Sequence, residues 1–424
     1  MDKLNKKKSA IGWIVFFMAL FSVFAIKYIE VYNLFFLLLL TVNLIIALFL
    51  RKSFNKTIVN LSALLIGLLF IYSGFVKGVD PVGTKYQIID YFIAYKTLWA
   101  KPFAMTMAVG LCAFEFILGV LMLFRIRIKE VSWLVLLMMI GFTFVTLGDA
   151  LYNSVPDCGC FGKAIILSNW QTFYKNLIIN VFVFIVFFSR KDVKRIFYPK
   201  AEFSIFLLFL AAFLSMEIYS IRHLPVIDFR TWKVGNRLIP ENPKPVKYFL
   251  SYKNKETGEV KEYLSKDLPW QDSLWLSQWE FQSQRIDDPN TGRKNDVTIE
   301  DSLGNNMTAN FIENPDFQFI LIAYNLAETN IKAFKKINEF YKKCDDNGYS
   351  FIVLTSSTRK EISEFKKKLN IEMEFYNSDD TALEAVIRSN PGLVILKNAY
   401  VLGKWHFNDF PDYEYVEKEY LHKK

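Results

Sequence analysis

The long apolar runs in the first half of the chain constrain its fold more than any other feature. A helix that crosses a membrane needs about 20 mostly apolar residues. Runs close to that length occur at 10–26, 32–50, 57–76, 102–124, 131–152, 174–189 and 203–221. After residue 222 the pattern becomes mixed, with charged residues throughout. The sequence therefore predicts seven transmembrane helices followed by a soluble half.

The composition excludes some classes of protein before any motif is considered. Of the 424 residues, 52% are hydrophobic and 22% are charged, and the mean hydropathy is +0.20. Such a chain is too apolar to be intrinsically disordered, and a compact cytosolic enzyme is not expected. The length allows two to three domains.

The net charge of +9 is concentrated in four short segments outside the predicted spans. Together they hold 15 basic and 3 acidic residues, so the rest of the chain carries −3; they are residues 1–9, 51–56, 125–130 and 190–200. Short cytoplasmic loops are enriched in Lys and Arg. Because these segments alternate along the seven spans, they place the N-terminus inside and the C-terminal half outside, which is the periplasm if the source is a Gram-negative bacterium. The charge is an orientation signal and gives no support for nucleic-acid binding.

A Cys-Gly-Cys loop follows the fifth predicted span on the predicted outer face. An oxidising compartment permits a disulfide there, Gly159 relaxes the backbone, and so small a ring is strained and easily reduced. Cys158 and Cys160 are therefore a candidate redox pair. They could instead be a static staple of the turn, or two ligands of a metal site completed by a partner. Cys112 and Cys344 are expected to be small buried residues.

The three histidines are His223, His406 and His422, and none lies in a predicted span. Haem with two histidine ligands inside the membrane is therefore excluded, and a histidine-based metal centre is not expected there. We predict no metal site in this chain.

Three carboxylates lie within the predicted spans. Glu115 is about 13 residues into the fourth span, roughly 20 Å deep. Charged groups at that depth tend to face a bundle interior and mark function, although a protonated Glu115 that only fixes helix packing is the alternative. Cys112 lies three positions earlier, on the same helix face. Asp149, near the outer end of the fifth span, is a second candidate for proton handling, whereas Glu217 is expected at a solvated helix end.

The end of the third span carries a possible catalytic lysine. Gly74 would allow another helix to approach closely, and Pro81 is expected to stop the helix. Lys77 could pair with Asp149 or Asp157, or extend its amine to the membrane interface.

Residues 57–190 resemble the DoxX-like four-helix membrane domain, in its branch related to the methylamine-utilisation protein MauE. The Cys-Gly-Cys-Phe-Gly loop before a helix is the most specific part of the resemblance. The matching stretches are Ser73-Gly74-Phe75-Val76-Lys77 with Asp80-Pro81, Glu115 with Gly119, Asp157-Cys158-Gly159-Cys160-Phe161-Gly162, and Asn169-Trp170-Gln171-Thr172-Phe173 with Lys175-Asn176.

This resemblance covers about a third of the chain and implies a bacterial inner-membrane protein. The MauE branch implies a part in maturing or folding a periplasmic, disulfide-rich dehydrogenase subunit. The DoxX side implies association with quinone-linked electron transfer. The two leading spans and the C-terminal half depart from the simple pattern, so the relevance of methylamine itself stays open.

The soluble half begins with an irregular region that contains one hairpin. Residues 246–252 alternate in polarity and are predicted to form its first strand. Gly258 lies in the turn, and residues 260–264 are predicted to form the second strand. The tryptophans that follow, at 270, 275 and 279, could form a small core or touch the membrane surface, and we expect a core. A short hairpin around 301–306 is also possible.

From residue 296 strands and helices alternate, which indicates an α/β sandwich. We expect strands at 317–324, 351–354, 371–376, 393–396 and 400–405, and helices at 330–345, 359–369 and 380–388. This order resembles a membrane-tethered thioredoxin-like domain, with Pro391 at the position of its cis-proline. The stretch that would hold Cys-x-x-Cys, 324–330, has no cysteine. The domain therefore cannot run a dithiol cycle and would be a binding module or a scaffold.

The predicted organisation has five parts. They are two leading transmembrane helices (1–56, the first an uncleaved helix rather than a signal peptide), a DoxX/MauE-like domain (57–190), a seventh transmembrane helix (191–222), a periplasmic connecting region (223–295) and a thioredoxin-like domain (296–424).

Two hypotheses for function follow. In the first, Cys158 and Cys160 exchange electrons with a periplasmic client protein and pass them to a quinone, with Glu115 and Asp149 handling protons. In the second, the chain is a non-enzymatic membrane subunit or assembly scaffold in which the two cysteines form a staple. A transporter is disfavoured, because the spans hold few polar residues and show no inverted repeat.

Overall fold

A computed structural model describes residues 12–20, 22, 54–155, 159–162, 164–239, 247–269, 272–287 and 297–421. The chain divides into a membrane unit that ends at Phe229 and an α/β unit that begins at Arg230. Asp157, Cys158, Trp270 and the predicted second span lie outside the described residues.

The membrane unit is built from long apolar helices. They are α1 (Lys56–Val79), α2 (Pro81–Ala94), α3 (Ala104–Leu123, preceded by a 3-10 turn at Leu98–Phe103), α4 (Ile128–Tyr152), α5 (Asn169–Ser189) and α6 (Pro199–Arg222). All of them except α2 are long and apolar enough to cross a membrane. Five of the seven predicted spans are thereby confirmed as membrane-capable helices. Of the first, residues 12–20 are helical.

Helices α1 and α3 approach so closely that their backbones touch. A Cβ atom on Gly74 would lie 2.6 Å from the amide nitrogen of Phe116, and one on Gly119 would lie 2.5 Å from that of Ile71. Small residues permit such backbone contact between helices in a membrane. The predicted role of Gly74 is confirmed.

Helices α4 and α5 are joined by asparagines on one face of α5. Asn176 Nδ2 donates to Thr146 Oγ1 (3.1 Å), and Asn180 Nδ2 donates to Thr143 Oγ1 (2.8 Å). Asn169, two turns earlier, donates to the carbonyl oxygens of Asp149 in the last turn of α4 and of Val155 just after it. Side-chain hydrogen bonds of this kind hold membrane helices together.

Helix α2 was not predicted. Pro81 does end α1, but it also occupies the first turn of α2, where its missing N–H costs nothing. Asp80 Oδ1 accepts from the Gly83 amide (2.9 Å) and caps the new helix. An acidic residue followed by proline is a helix-start signal. Asp80 and Pro81 give this signal in the sequence, although it was not used to predict α2.

The prediction that Glu217 lies at a solvated helix end is wrong, because its side chain is 0% exposed. Phe213, one turn earlier on the same face of α6, stacks on Phe116 of α3 with ring centroids 4.2 Å apart. Glu217 therefore lies on the same buried face of α6 as Phe213.

The α/β unit contains two sheets. The strands are β1 (Lys247–Asn254), β2 (Val260–Leu264), β3 (Trp279–Asp287), β4 (Gln318–Ile322), β5 (Ser350–Thr355), β6 (Glu374–Asn377), β7 (Gly392–Lys397) and β8 (Tyr400–His406), and the helices are α7 (Ser273–Gln278), α8 (Thr308–Ile312), α9 (Phe334–Asp346), α10 (Arg359–Leu369), α11 (Asp380–Val386) and α12 (Tyr413–Val416).

The smaller sheet has the order β2-β1-β3, with both pairs antiparallel. It confirms the predicted hairpin, whose turn contains Gly258 at φ +73°. Trp275 and Trp279 stack 6.0 Å apart beside Tyr252 and Tyr263, and both tryptophans are half-buried.

The larger sheet has the order β6-β5-β4-β7-β8. Strands β4, β5 and β6 run parallel, and β7 and β8 are antiparallel additions. The central strands are buried on both faces, and α9 covers them with Phe334, Ile337, Phe340 and Cys344. An isolated bridge flanks each outer strand: Arg237 pairs with Tyr400 on β8, and Glu300 pairs with Asn377 on β6.

Candidate functional site

The membrane unit contains a cavity of about 290 Å³ among α1–α5 and the loop that contains Cys160. Most of the surface that lines it is apolar. Its polar and charged lining side chains are Ser73, Lys77, Thr84, Gln87, Tyr91, Tyr95, Glu115, Thr146, Cys160, Lys175 and Asn176. A mostly apolar cavity with a few convergent polar groups is the usual form of a small-molecule site.

Lys77 and Glu115 form a buried ion pair on the wall of this cavity. Lys77 Nζ donates to Glu115 Oε2, and the residues are 6% and 3% exposed. The close approach of α1 and α3 at Gly74 brings the two side chains together. Lys77 therefore pairs with Glu115 and not with Asp149, and its side chain is buried rather than exposed at the surface. Two charges in so apolar a place persist because each compensates the other.

The loop that carries Cys160 is fastened to α1 and α2. Ser73 Oγ donates to the carbonyl oxygen of Cys160 (2.7 Å). Gly159 has φ +62°, and a Cβ there would overlap the side chain of Gln87. Only glycine fits both the conformation and the space. Cys160 consequently lies on the cavity wall together with Lys77 and Glu115.

A second lysine reaches the cavity from α5. Lys175 Nζ lies 4.5 Å from the centre of the Phe161 ring, a cation–π contact. Among the described lining residues the charged groups are Lys77, Lys175 and Glu115, so their formal charges sum to +1. Positive charge near a thiol stabilises its thiolate, which is the reactive form.

Asp149 does not line the cavity but reaches it through a tyrosine. Its Oδ2 accepts from Tyr91 Oη at 2.7 Å, and its Oδ1 has no hydrogen-bond partner in the part of the chain that the structure describes. Sequence reasoning missed Tyr91. Its signal was helical spacing: the lining residues of α2 recur every three to four positions, at Thr84, Gln87, Ile88, Tyr91 and Tyr95.

Cys112 lies behind the cavity wall. It is fully buried, and its Sγ is 3.8 Å from Thr84 Oγ1, which donates in turn to the carbonyl oxygen of Lys77 (3.2 Å). The prediction of a small buried residue is confirmed for Cys112 and also for Cys344.

The α/β unit offers no thiol at the position expected for Cys-x-x-Cys. The segment at that position, 324–330, is hydrogen-bonded to the loop before β7. Asn390 Nδ2 donates to the Asn325 carbonyl (2.8 Å), and the Asn330 amide donates to the Asn390 carbonyl (3.0 Å). The Asn390–Pro391 bond is cis. Burial raises the pKa of Cys344 far above its ordinary value, which leaves it as the inert thiol.

Comparison with known families is informative for the membrane unit alone. Residues 55–189 match the family model described as methylamine utilisation protein MauE. The match spans α1 to α5, and so it includes the cavity and the Cys160 loop, and it confirms the resemblance to MauE predicted for that region. No curated protein and no solved structure matches the chain.

Proposed function

We propose that the MauE-like segment at 55–189 catalyses thiol–disulfide exchange through Cys158 and Cys160 in maturing an extracytoplasmic client protein. The observation that carries this proposal is the position of Cys160. It lines the cavity together with two lysines and one carboxylate. A cysteine that only stapled a surface turn would not need such surroundings.

The exchange has two balanced steps. A client thiolate attacks the Cys158–Cys160 disulfide, a mixed disulfide forms, and a second client thiolate resolves it. The client is then oxidised to a disulfide, and Cys158 and Cys160 are left as two thiols. Lys77 and Lys175 favour the thiolate that must form on Cys160.

Regenerating the disulfide removes two electrons and two protons from the thiols. A quinone supplies the matching acceptor when bound. The cavity suits such a molecule, because most of its surface is apolar and hydrogen-bond donors, among them Lys77, Tyr91, Lys175 and Asn176, lie on its wall. Glu115 holds or accepts a proton beside Lys77, and Asp149 does so through the Tyr91 hydroxyl.

We place the protein in the bacterial inner membrane with its N-terminus in the cytoplasm. The positive segments between the spans support this orientation, and it puts the Cys160 loop and the α/β unit in the periplasm. Disulfides form and persist in that compartment.

In this proposal the α/β unit is a thioredoxin-like module that holds the client without redox chemistry of its own. Its parallel β4–α9–β5 unit with β7 and β8 added antiparallel supports the likeness. The buried Cys344 and the cysteine-free segment at 324–330 favour a binding role.

The cysteine-free α/β unit also favours a second candidate, an assembly scaffold with no catalytic cycle. There Cys158 and Cys160 form a permanent staple, and the α/β unit binds its partner passively. The two candidates differ in one measurable property, the redox state of these cysteines in cells.

That state can be measured by trapping thiols with an alkylating reagent of high mass, with and without depletion of membrane quinones. We expect a mixture of states that becomes more reduced when quinone is depleted. Cys344→Ser serves as the matched control, because its thiol is buried in the other unit. A disulfide that never changes, together with full function of a Cys158→Ser/Cys160→Ser variant, contradicts exchange and supports the scaffold.

A further inference from the structure

Helix α6 carries a buried carboxyl group that the exchange chemistry does not use. Glu217 and Ser220 lie one turn apart on one face of α6 and are 0% and 1% exposed. Glu217 Oε1, Glu217 Oε2 and Ser220 Oγ have no hydrogen-bond partner among the described residues. Buried polar groups are nearly always hydrogen-bonded, so three orphaned oxygens together call for an explanation.

The surroundings of Glu217 favour its neutral form. Among the described residues neither carboxyl oxygen of Glu217 has a hydrogen-bond partner, and no ion pair includes it, whereas Lys77 is paired with Glu115. Burying an isolated carboxylate in an apolar medium is so costly that the group takes up a proton instead. Glu115 is the opposite case, since a lysine compensates its charge.

A line of polar groups connects this part of α6 with the cavity. Cys112 of α3 packs in one buried cluster with Phe213, which lies one turn before Glu217 on α6. Cys112 contacts the Thr84 hydroxyl, which lines the cavity and is bonded to the backbone of Lys77. Cys112 and Thr84 thus connect the part of α6 that carries Glu217 with the cavity wall that carries the ion pair.

We propose that Glu217 and Ser220 form a proton-binding site in the membrane unit, and that Glu217 exchanges its proton with the cavity through Cys112 and Thr84. The O–H bond of Glu217 breaks, the proton passes along the thiol and the hydroxyl to the cavity, and the Glu115 carboxylate on the cavity wall accepts it. One carboxylate is lost and one is formed, so no net charge is created. The site does not depend on the chemistry proposed for Cys160.

The first test uses dicyclohexylcarbodiimide, which reacts with protonated carboxyl groups in apolar surroundings. Peptide mapping by mass spectrometry of the full-length protein in lipid nanodiscs identifies the labelled residue. We expect an adduct on Glu217 that weakens as the pH rises, and none on the ion-paired Glu115. Glu217→Gln removes the adduct, whereas the matched control Glu202→Gln, at the other end of α6, keeps it. Mapping the unmodified sequence makes the result independent of how Glu217→Gln folds.

The second test addresses the link to the cavity. In Glu115→Gln, Lys77 loses its counterion, and its uncompensated positive charge favours the ionised form of Glu217. We expect labelling of Glu217 at neutral pH to fall at least severalfold in that variant and to recover in Lys77→Met/Glu115→Gln. Labelling that Glu115→Gln leaves unchanged would overturn the link.

Infrared spectroscopy provides a measurement that needs no reagent access. The carbonyl stretching band of a protonated carboxyl group should be present at neutral pH and should lose intensity in Glu217→Gln. If both the adduct and the band are missing, the proton-binding site is excluded. Thiol exchange at Cys160 would be unaffected by that outcome, since neither measurement involves the cysteine.

Discussion

Lys77 of α1 and Glu115 of α3 form an ion pair that is almost completely buried on the wall of the membrane cavity. The two residues are 38 positions apart in the chain. They meet because Gly74 and Gly119 allow the two helix backbones to touch. The packing of α1 against α3 therefore determines which charged side chains are paired in the candidate site.

Breaking one half of this pair should destabilise the membrane unit strongly. Lys77→Met or Glu115→Gln leaves a buried charge without its counterion, which costs about 3–5 kcal/mol. Lys77→Met/Glu115→Gln removes both charges and should cost clearly less than either single change. Thermal unfolding in nanodiscs measures this, with the exposed Lys101→Met as the control. A double variant less stable than both single variants would contradict the pairing.

The glycine contacts give a second prediction. Gly74→Ala and Gly119→Ala each force a Cβ into a neighbouring backbone, and overpacking of this kind costs about 1–3 kcal/mol. Gly110→Ala, on α3 itself, is the matched control because nothing lies within 4 Å of the added Cβ. It should be neutral or slightly stabilising, since alanine favours the helix by up to about 1 kcal/mol. Equal losses of thermal stability in all three variants would rule out the close contact.

The asparagines of α5 can be tested by a double-mutant cycle. Asn180→Ala removes the hydrogen bond to Thr143, and we expect a coupling energy of about 0.6 kcal/mol, with about 1.7 as the upper range for such bonds in membranes. The cycle uses Asn180→Ala, Thr143→Ala and their combination, and it reads out thermal stability. Strict additivity of the two single effects would mean that the bond contributes nothing.

The thiols should differ sharply in reactivity. Burial raises the pKa of Cys344, so almost no thiolate forms there near neutral pH. We expect alkylation of Cys344 to be much slower than alkylation of Cys160 in the reduced protein, and to become fast once the chain is unfolded. Variants that keep one of the two cysteines and replace the others by serine isolate each rate. Rapid labelling of folded Cys344 would contradict its place in the core.

Tyr413 makes the stability of the α/β unit sensitive to alkaline pH. Burial raises the pKa of its phenol to about 12, above the ordinary value of about 10. The unfolded chain therefore loses this proton at lower pH than the folded chain. The contribution of the Tyr413 phenol to the free energy of unfolding is complete below pH 10 and is lost as the pH rises towards 12. Hydrogen exchange of peptides from the α/β unit should show this loss.

Tyr413→Phe should flatten that dependence. Its Oη has no hydrogen-bond partner among the described residues, so the substitution should cost little at neutral pH and could stabilise by up to about 1 kcal/mol. Tyr415→Phe is the control, because Tyr415 is half exposed. An unchanged alkaline loss in Tyr413→Phe would assign the effect to another group.

Local patterns in the sequence were sufficient for most elements. Run length identified the five spans of the described membrane unit, and strand and helix alternation located the strands from β4 to β8. Both signals depend on residues within one element, so they need no knowledge of what that element packs against. Helix α2 was missed because its start at Asp80 and Pro81 was interpreted as the end of the preceding helix.

Candidate residues could be named from the sequence, but their partners could not. The rarity of charged groups at membrane depth was enough to single out Glu115, and the Cys-Gly-Cys spacing was enough for Cys160. Pairing Lys77 with Glu115, linking Asp149 to Tyr91 and burying Glu217 required the tertiary structure. Hydrophobic periodicity records how apolar each position is, whereas an ion pair depends on which helix faces meet, and that is settled only when α1, α3 and α6 pack together.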